Sequence, residues 1–395
     1  MSPKEMTQKE QSMLTPRLRF PEFRDNPIWR ERCLKDICQI NPSNNELPDT
    51  FLYIDLEAVE SGKLKTKTLL SKKEAPSRAQ RLLSNGDILY QVVRPYQRNN
   101  FFFNLSDSYP FVASTGYAQL RAYESSAFLY QAIHTDQFVN RVMSRCTGSS
   151  YPAINSSALA EIPLPIPELA EQQKIAECLS TLDELIEAES RKLDALKDYK
   201  KGLMQQLFPR EGETRPRLRF PEFRSAPEWE TDKLGSVCDL YQPVTLSSAE
   251  LSMTGEYLVY GANGIIGSHN QYNHEDSEIA VTCRGATCGE VTKTKPKSWI
   301  TGNAMVVKPK SQSLSKDFIF HYFKNHGLKS VISGSAQPQI TRAGFSPLVV
   351  SFPKPDEQHR IATCLNSLDE LIAAQSDRIS ALQTHKQGLL QQLFP

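Results

Sequence analysis

EQQKIAECLSTLDELIEAESRKLDALKDYKKGLMQQLFP (171–209) and EQHRIATCLNSLDELIAAQSDRISALQTHKQGLLQQLFP (357–395) align without a gap and agree at 23 of 39 positions. Upstream of each stands the same octet, RLRFPEFR, at 17–24 and again at 217–224. The chain is therefore one unit written twice: an opening motif, a globular domain, then a long helix. A repeat must be recognised first, because a missed repeat miscalls the whole fold.

The repeated 39-residue segment carries a seam. Ile175, Leu179, Leu182, Ile186, Leu193, Leu196, Leu203 and Leu207 follow one another in steps of four and three, with Glu189 and Lys200 filling the two missing places. The second copy repeats this with Ile361, Leu365, Leu368, Ile372, Ile379, Leu382, Leu389 and Leu393, and Gln375 and Lys386 in the gaps. A period of 3.5 residues sustained this long is that of a coiled coil, and polar residues in such a seam fix register and partner choice. PLPIP (163–167) and FPKP (352–355) precede the helices, and Pro209 and Pro395 follow them, since proline cannot continue the hydrogen-bond ladder. At about 1.5 Å per residue each rod is roughly 57 Å long.

Two equal rods in one chain most simply pair with each other, antiparallel if a pseudo-twofold relates the copies. The alternative is that each helix packs only on its own domain. The second copy ends at the LFP after which the first copy begins its next RLRFPEFR, so the C-terminus is expected near the start of the first unit, giving a roughly cyclic molecule. The expected fold is α+β: two strand-rich domains at 17–165 and 210–350, long spacer helices at 166–209 and 351–395, and a polar tail at 1–16.

Between the helices and the opening motifs the copies diverge. Gly148, Ser149, Pro152 and Ile154 meet Gly334, Ser335, Pro338 and Ile340, and Thr115, Gly116 and Ala118 meet Thr301, Gly302 and Ala304, at a shift of 186. The shift drifts to 190–191 where ILYQVVR (88–94) faces IAVTCR (279–284), so the first domain carries about 14 extra residues before position 88. Short β-branched and aromatic runs between Gly, Pro, Asn and Ser read as strands. A frame kept while its faces diverge fits two readers of different specificity.

The net charge of +1 conceals a division. Residues 17–165 hold 18 basic and 15 acidic groups and residues 210–350 hold 16 and 14, whereas 166–209 hold 6 and 9 and 351–395 hold 4 and 5. The globular parts are mildly basic. Lys63, Lys65, Lys67, Lys72, Lys73, Arg78 and Arg81 surround one acid, Glu74; Arg94, Tyr96 and Arg98 stand among aromatics in an acid-free stretch. In the second domain Arg284, Lys293, Lys295 and Lys297 share one acid, Glu290, with Lys308 and Lys310. On a strand, Lys293, Lys295 and Lys297 are expected on one side. Such clusters suit phosphate neutralisation, with Arg able to read guanine edges; a solvated surface run is the other reading.

Signals for chemistry are few. GANGIIG (261–267) departs from GxGxxG and reads as a glycine turn. His269, His274, Cys283 and Cys288 fit no common zinc spacing, and His321 and His326, five apart, miss the i,i+4 ligand spacing. There is no Walker loop and no GxSxG, and NPSN (41–44) lacks the second proline and the aromatic of the methyltransferase tetrapeptide. Eight cysteines without a CxxC pair read as reduced thiols of a cytosolic protein rather than disulfides. No apolar run approaches a membrane span, and MSPKEMTQKEQSML lacks the apolar core of a secretory signal.

Taken together, the doubled LRFPEFR followed by Trp29 or Trp229, the EQxxIAxCL…LDELI helix openings and the QQLFP endings resemble the specificity subunit of a type I restriction–modification system. GANGIIGSHNQY and ITGNAMVVKP also look like stretches of such recognition domains. The resemblance covers the whole chain after the tail. It implies a non-catalytic, cytoplasmic prokaryotic subunit whose two target-recognition domains each read one half of a bipartite, non-palindromic site in double-stranded DNA. It implies helices that act as a ruler between the halves, and no cofactor on this chain. Two methyltransferase subunits would bring S-adenosylmethionine and adenine-N6 chemistry, and motor-nuclease subunits ATP and Mg. The other readings are a self-sufficient DNA methyltransferase or nuclease, separable by activity without partners, and a coiled-coil scaffold without DNA binding, separable by a salt-dependent shift on duplex DNA.

Overall fold

The computed structural model describes residues 14–44, 46–252, 254–262, 264–334 and 337–395. Most of the tail expected at 1–16, Asn263 of the glycine turn and Ser335 of the matched loop lie outside the described residues. The chain forms two compact units, one of Met1–Glu189 with Arg378–Pro395 and one of Ser190–Asp377. The long helices run Leu169–Leu207 and Pro355–Leu393, so each unit holds the first half of one helix and the second half of the other.

In the first unit RLRFPEFR makes a single 3-10 turn, Pro21–Phe23, and leads into strand Arg30–Cys33, which pairs antiparallel with Pro163–Ile166. Two four-stranded sheets follow. One is wholly antiparallel, in the order Cys38–Ile40, Tyr117–Ala122, Ile88–Gln91, Phe101–Phe102. The other runs Thr68–Ser71, Thr50–Ile54, Phe111–Ser114, Ala79–Leu82, with the middle pair parallel. The second unit keeps this frame: Glu230–Lys233 pairs with Val349–Phe352, and Ile279–Thr282 sits beside Ala304–Pro309 as Ile88–Gln91 sits beside Tyr117–Ala122. Its smaller sheet retains the parallel pair, Tyr257–Gly261 with Trp299–Ile300.

Each unit pairs its two helix halves antiparallel. In the first, Lys386 Nζ donates to both Asp183 carboxylate oxygens at 2.7 Å and Arg378 meets Glu189 at 2.8 Å, so partner numbers fall as residue numbers rise. In the second, Lys200 meets Asp369, the same pair one repeat along, while Leu203 and Leu368 pack on a core that includes Leu207, Ile361 and Leu365. The two lysines that interrupt the seam thus find aspartates on the opposite helix, and any other register would strand a half-buried charge. The alternative in which a helix lies only on its own domain is corrected by these pairs. Along the helices the seam leucines and isoleucines are buried or half-buried.

The helix ends plug the cores. Phe394 stacks on Phe128 at 5.3 Å and meets Trp29 edge-on at 5.8 Å; Phe208 does the same duty against Phe318 at 5.5 Å and Trp229 at 6.2 Å. The opening motifs dock on the same helices, Leu18 N–H donating to Gln392 O and Leu218 N–H to Gln206 O.

A buried ion pair then locks each motif. Arg19 donates from Nε and Nη2 to the two Glu171 oxygens at 2.8 and 2.7 Å, from Nη1 to the Asn26 carbonyl and from Nη2 also to the Pro27 carbonyl. Arg219 repeats this with Glu357 at 2.8 and 2.7 Å and with Ala226 and Pro227. The carboxylates stand in the first turn of their helices, where the helix dipole favours negative charge, and their hydrogen bonds, with a smaller contribution from their charge, raise both arginine pKa values.

One histidine makes the first unit sensitive to acid. His134 donates from Nδ1 to Tyr130 O at 2.6 Å and lies 3.2 Å from the Asn100 amide. Burial, helped by Lys386 and Arg98 against Asp183, lowers its pKa to about 4. The neutral ring belongs to the folded state, so the unfolded chain takes up its proton first. Stability is whole above about pH 6.5 and falls as pH drops through about 4, by about 2 kcal/mol for a partly exposed ring. Denaturant titrations at pH 7 and 4.5 check this: His134→Gln should flatten that part of the profile, and an unchanged slope would rule His134 out.

Candidate nucleic-acid interface

The structure sorts the basic candidates by what they already hold. Six are engaged within their own unit: Lys65 with Glu60, Lys67 with Asp107, Lys72 with Glu46, Arg98 with Asp136, Lys293 with Asp317 and Lys297 with Glu275. Most of these pairs are solvent-exposed and contribute little to stability, so an incoming phosphate exchanges with the carboxylate at small cost. Among the described residues Lys63, Lys73, Arg78, Arg94, Arg284 and Lys295 meet no carboxylate. Arg81 is half-buried, its Nε unpartnered and its pKa lowered by burial.

Lys63, Lys65 and Lys67 line an open hollow of about 520 Å³ with Phe101, Leu105 and Glu187 of the first long helix. The tight hairpin Val59–Glu60 to Lys63–Leu64, closed by Ser61 and Gly62 in left-handed conformations, presents them. In the second unit the expected alternation of Lys293, Lys295 and Lys297 fails. The strand is only Val291–Lys293, because Pro296 has no amide to donate and Lys297 turns left-handed at φ 51°.

Two loops meet in each unit at equivalent places. Val93 bridges to Ala153 and Arg94 N–H donates to Pro152 O; Arg284 bridges to Gln339 and Gly285 N–H donates to Pro338 O. The structural counterpart of Arg94 is therefore Gly285, and Arg284 matches Val93. The alignment of the two arginines at the end of ILYQVVR and IAVTCR is corrected by one residue. Gly285 takes φ 89°, and Arg94 takes φ 53° at the same place, immediately before Pro95. A left-handed non-glycine costs of order 1–3 kcal/mol, and a following proline restricts the backbone further. The Arg94 guanidinium lies 4.3 Å from the centre of the Tyr151 ring, and Tyr151 is 65% exposed. Tyr96 also projects to solvent, whereas Arg98, again left-handed, is tied inward to His134 O and Asp136.

Tyr151 was not among the residues singled out from the sequence. Its signal was its place, directly before the matched Pro152 in a loop opened by left-handed Gly148; the second unit opens that loop with left-handed Gly334 and has Gln337 where Tyr151 stands.

Among the described residues no group of three or more His, Cys, Asp or Glu is placed to hold a metal ion. His274 Nε2 lies 3.0 Å from Tyr241 Oη, His269 Nδ1 accepts from Gln271 N–H, and burial pushes the Cys283 thiol up to about 11. All eight cysteines are free thiols, with Cys38 and Cys238 each pushed by burial to about 12. Among the described residues no helix is long and apolar enough to cross a membrane.

Comparison with known proteins adds the following. The family model described as type I restriction modification DNA specificity domain matches residues 27–198 and again 227–384. The type I restriction enzyme MjaVIII specificity subunit of Methanocaldococcus jannaschii is 23% identical over 279 residues, 64% of this chain and 65% of that protein. The EcoprrI specificity subunit of Escherichia coli is 30% identical over 115 residues, 29% of this chain and 28% of that one. The matched regions thus span less than two thirds of these relatives. A crystal structure of a type I restriction-modification S subunit from M. genitalium shares the fold over 96% of this chain and 99% of its own, with a TM-score of 0.64 at 17% identity. A chain from a structure of type I complex assembly does so over 93% and 97%, with a TM-score of 0.56 at 22% identity.

Proposed function

The chain belongs to the type I restriction modification DNA specificity domain family, and from that premise we propose that it is the subunit that reads DNA sequence for a type I restriction–modification complex. Residues 17–165 and 210–350 each read one half of a bipartite, non-palindromic duplex site. Residues 166–209 and 351–395 set the spacing between the halves. The observation that carries this is the doubled family match, once per copy, on a frame whose loops differ between copies. A symmetric dimer reads a palindrome; two fused, diverged copies keep the scaffold while each reads its own bases.

The basic candidates supply the phosphate contacts in this reading: Lys63, Lys65, Lys67, Lys72, Lys73, Arg78 and Arg81 for the first half, Arg284, Lys293, Lys295 and Lys297 for the second, while Arg98 holds its loop in place. The chain contributes recognition and no catalysis. Two methyltransferase subunits dock on it with S-adenosylmethionine for adenine-N6 methylation, and motor-nuclease subunits join with ATP and Mg, all in the cytoplasm of a prokaryote.

Exchange of residues 17–165 for another recognition domain tests the reading. Methylome sequencing of cells carrying the hybrid with its methyltransferase should show one half-site changed, the other retained and the spacer unaltered, since the helices are untouched. Change in both halves would refute the division of labour, and absence of any modified motif with the native chain would refute the function.

A further inference from the structure

We infer that Arg94, resting on the Tyr151 ring, reads a guanine in the half-site of the first domain. The inference rests on the DNA-reading function proposed above and names one contact within it.

The fold does not require this arrangement. The second unit builds the same two-loop junction with Gly285 and Gln337 at the corresponding places. Glycine takes the left-handed backbone without penalty, so the first unit keeps an arginine where a cheaper residue serves the scaffold. Backbone strain of this kind persists where function uses it.

The side chain is poised rather than satisfied. The guanidinium carbon lies 4.3 Å over the centre of the Tyr151 ring, a cation–π contact with the ring face that leaves the N–H donors available to a ligand. Among the described residues those donors meet no carboxylate and no carbonyl. Arg98, four residues on and with the same φ of 53°, is by contrast pinned to His134 O and Asp136, which anchors the loop carrying Arg94. A planar, pre-oriented pair of donors matches the O6 and N7 acceptors of guanine in the major groove. A phosphate would also accept from it, but a phosphate contact is blind to sequence and gives no reason for the two copies to differ at this position.

The test uses the full chain co-expressed with its methyltransferase, and selection from a duplex library randomised across both half-sites. Wild type should select a guanine at one position of the half-site that moves when residues 17–165 are exchanged. Arg94→Gly and Arg94→Lys should each lose preference at that position by about ten- to a hundredfold, with the other half-site unchanged. Tyr151→Ala should weaken the same preference. Arg94→Gly should also melt at the same or a higher temperature, which separates lost reading from lost folding. Uniform weakening at every position, rescued by Arg94→Lys, would make Arg94 a phosphate ligand and overturn the inference. So would a first half-site without guanine. A wild-type complex that selects no sequence would overturn the DNA-reading function and this contact with it.

Discussion

Glu357→Gln should lower the melting temperature of the second unit by roughly 10 °C. The carboxylate is 2% exposed and takes both forks of Arg219, itself buried against two backbone carbonyls. Removing one partner leaves a guanidinium buried without its counter-charge, which costs about 3–5 kcal/mol. For a unit of this size each kcal/mol moves the melting point by about 2–4 °C. The pair itself is worth far less than that, because burying two charges takes back most of what their attraction supplies. The double variant Arg219→Met with Glu357→Leu should therefore recover most of the loss. Calorimetry on the three proteins decides it: a single variant within about 1 kcal/mol of wild type would show the pair to be solvated in solution. Glu171→Gln should act likewise in the first unit, where Trp29 Nε1 also donates to that carboxylate.

Phe208→Ala and Phe394→Ala should each cost about 3–5 kcal/mol, and each should melt the domain of the other copy. Phe208 ends the helix that follows the first domain, yet its ring is packed on Trp229 and Phe318 of the second. Phe394 ends the helix that follows the second domain and packs on Trp29 and Phe128 of the first. Phe208 is 1% exposed and Phe394 5%, so the former should be the more damaging. The check is calorimetry of the two transitions, each assigned beforehand with a core substitution inside one domain, Phe138→Leu or Phe345→Leu. Were Phe208→Ala to move the first unit's transition alone, the composition of the units would be wrong.

The helices and the doubling were legible because both are periodic, and periodicity survives divergence. The antiparallel pairing was legible too: two rods of equal length, in copies related by a pseudo-twofold, most simply run in opposite directions. What escaped had a different character. Arg19 and Glu171 were each read as parts of short motifs, but nothing in a single sequence says that residues 152 apart share two hydrogen bonds. The correspondence of Arg94 with Arg284 failed because a one-residue slip is invisible in residue type and plain in a ladder of backbone bonds. The stripe of Lys293, Lys295 and Lys297 failed for a local reason already present in KTKPK: the proline that ends the alternation stands between the last two lysines. Paired and unpaired lysines could not be separated at all, since that depends on where acids such as Glu46, Asp107 and Asp317 come to lie.

The make-up of the first unit has a consequence for how the protein is born. Synthesis runs from the N-terminus, and domains fold as they emerge. The second unit has all its residues once position 377 has cleared the ribosome, although it begins later in the message. The first must wait for Arg378–Pro395, so until then the pocket around Trp29 and Phe128 lacks its aromatic stopper. Of the two units, the one that begins first is completed second, and until Phe394 arrives its core stands open.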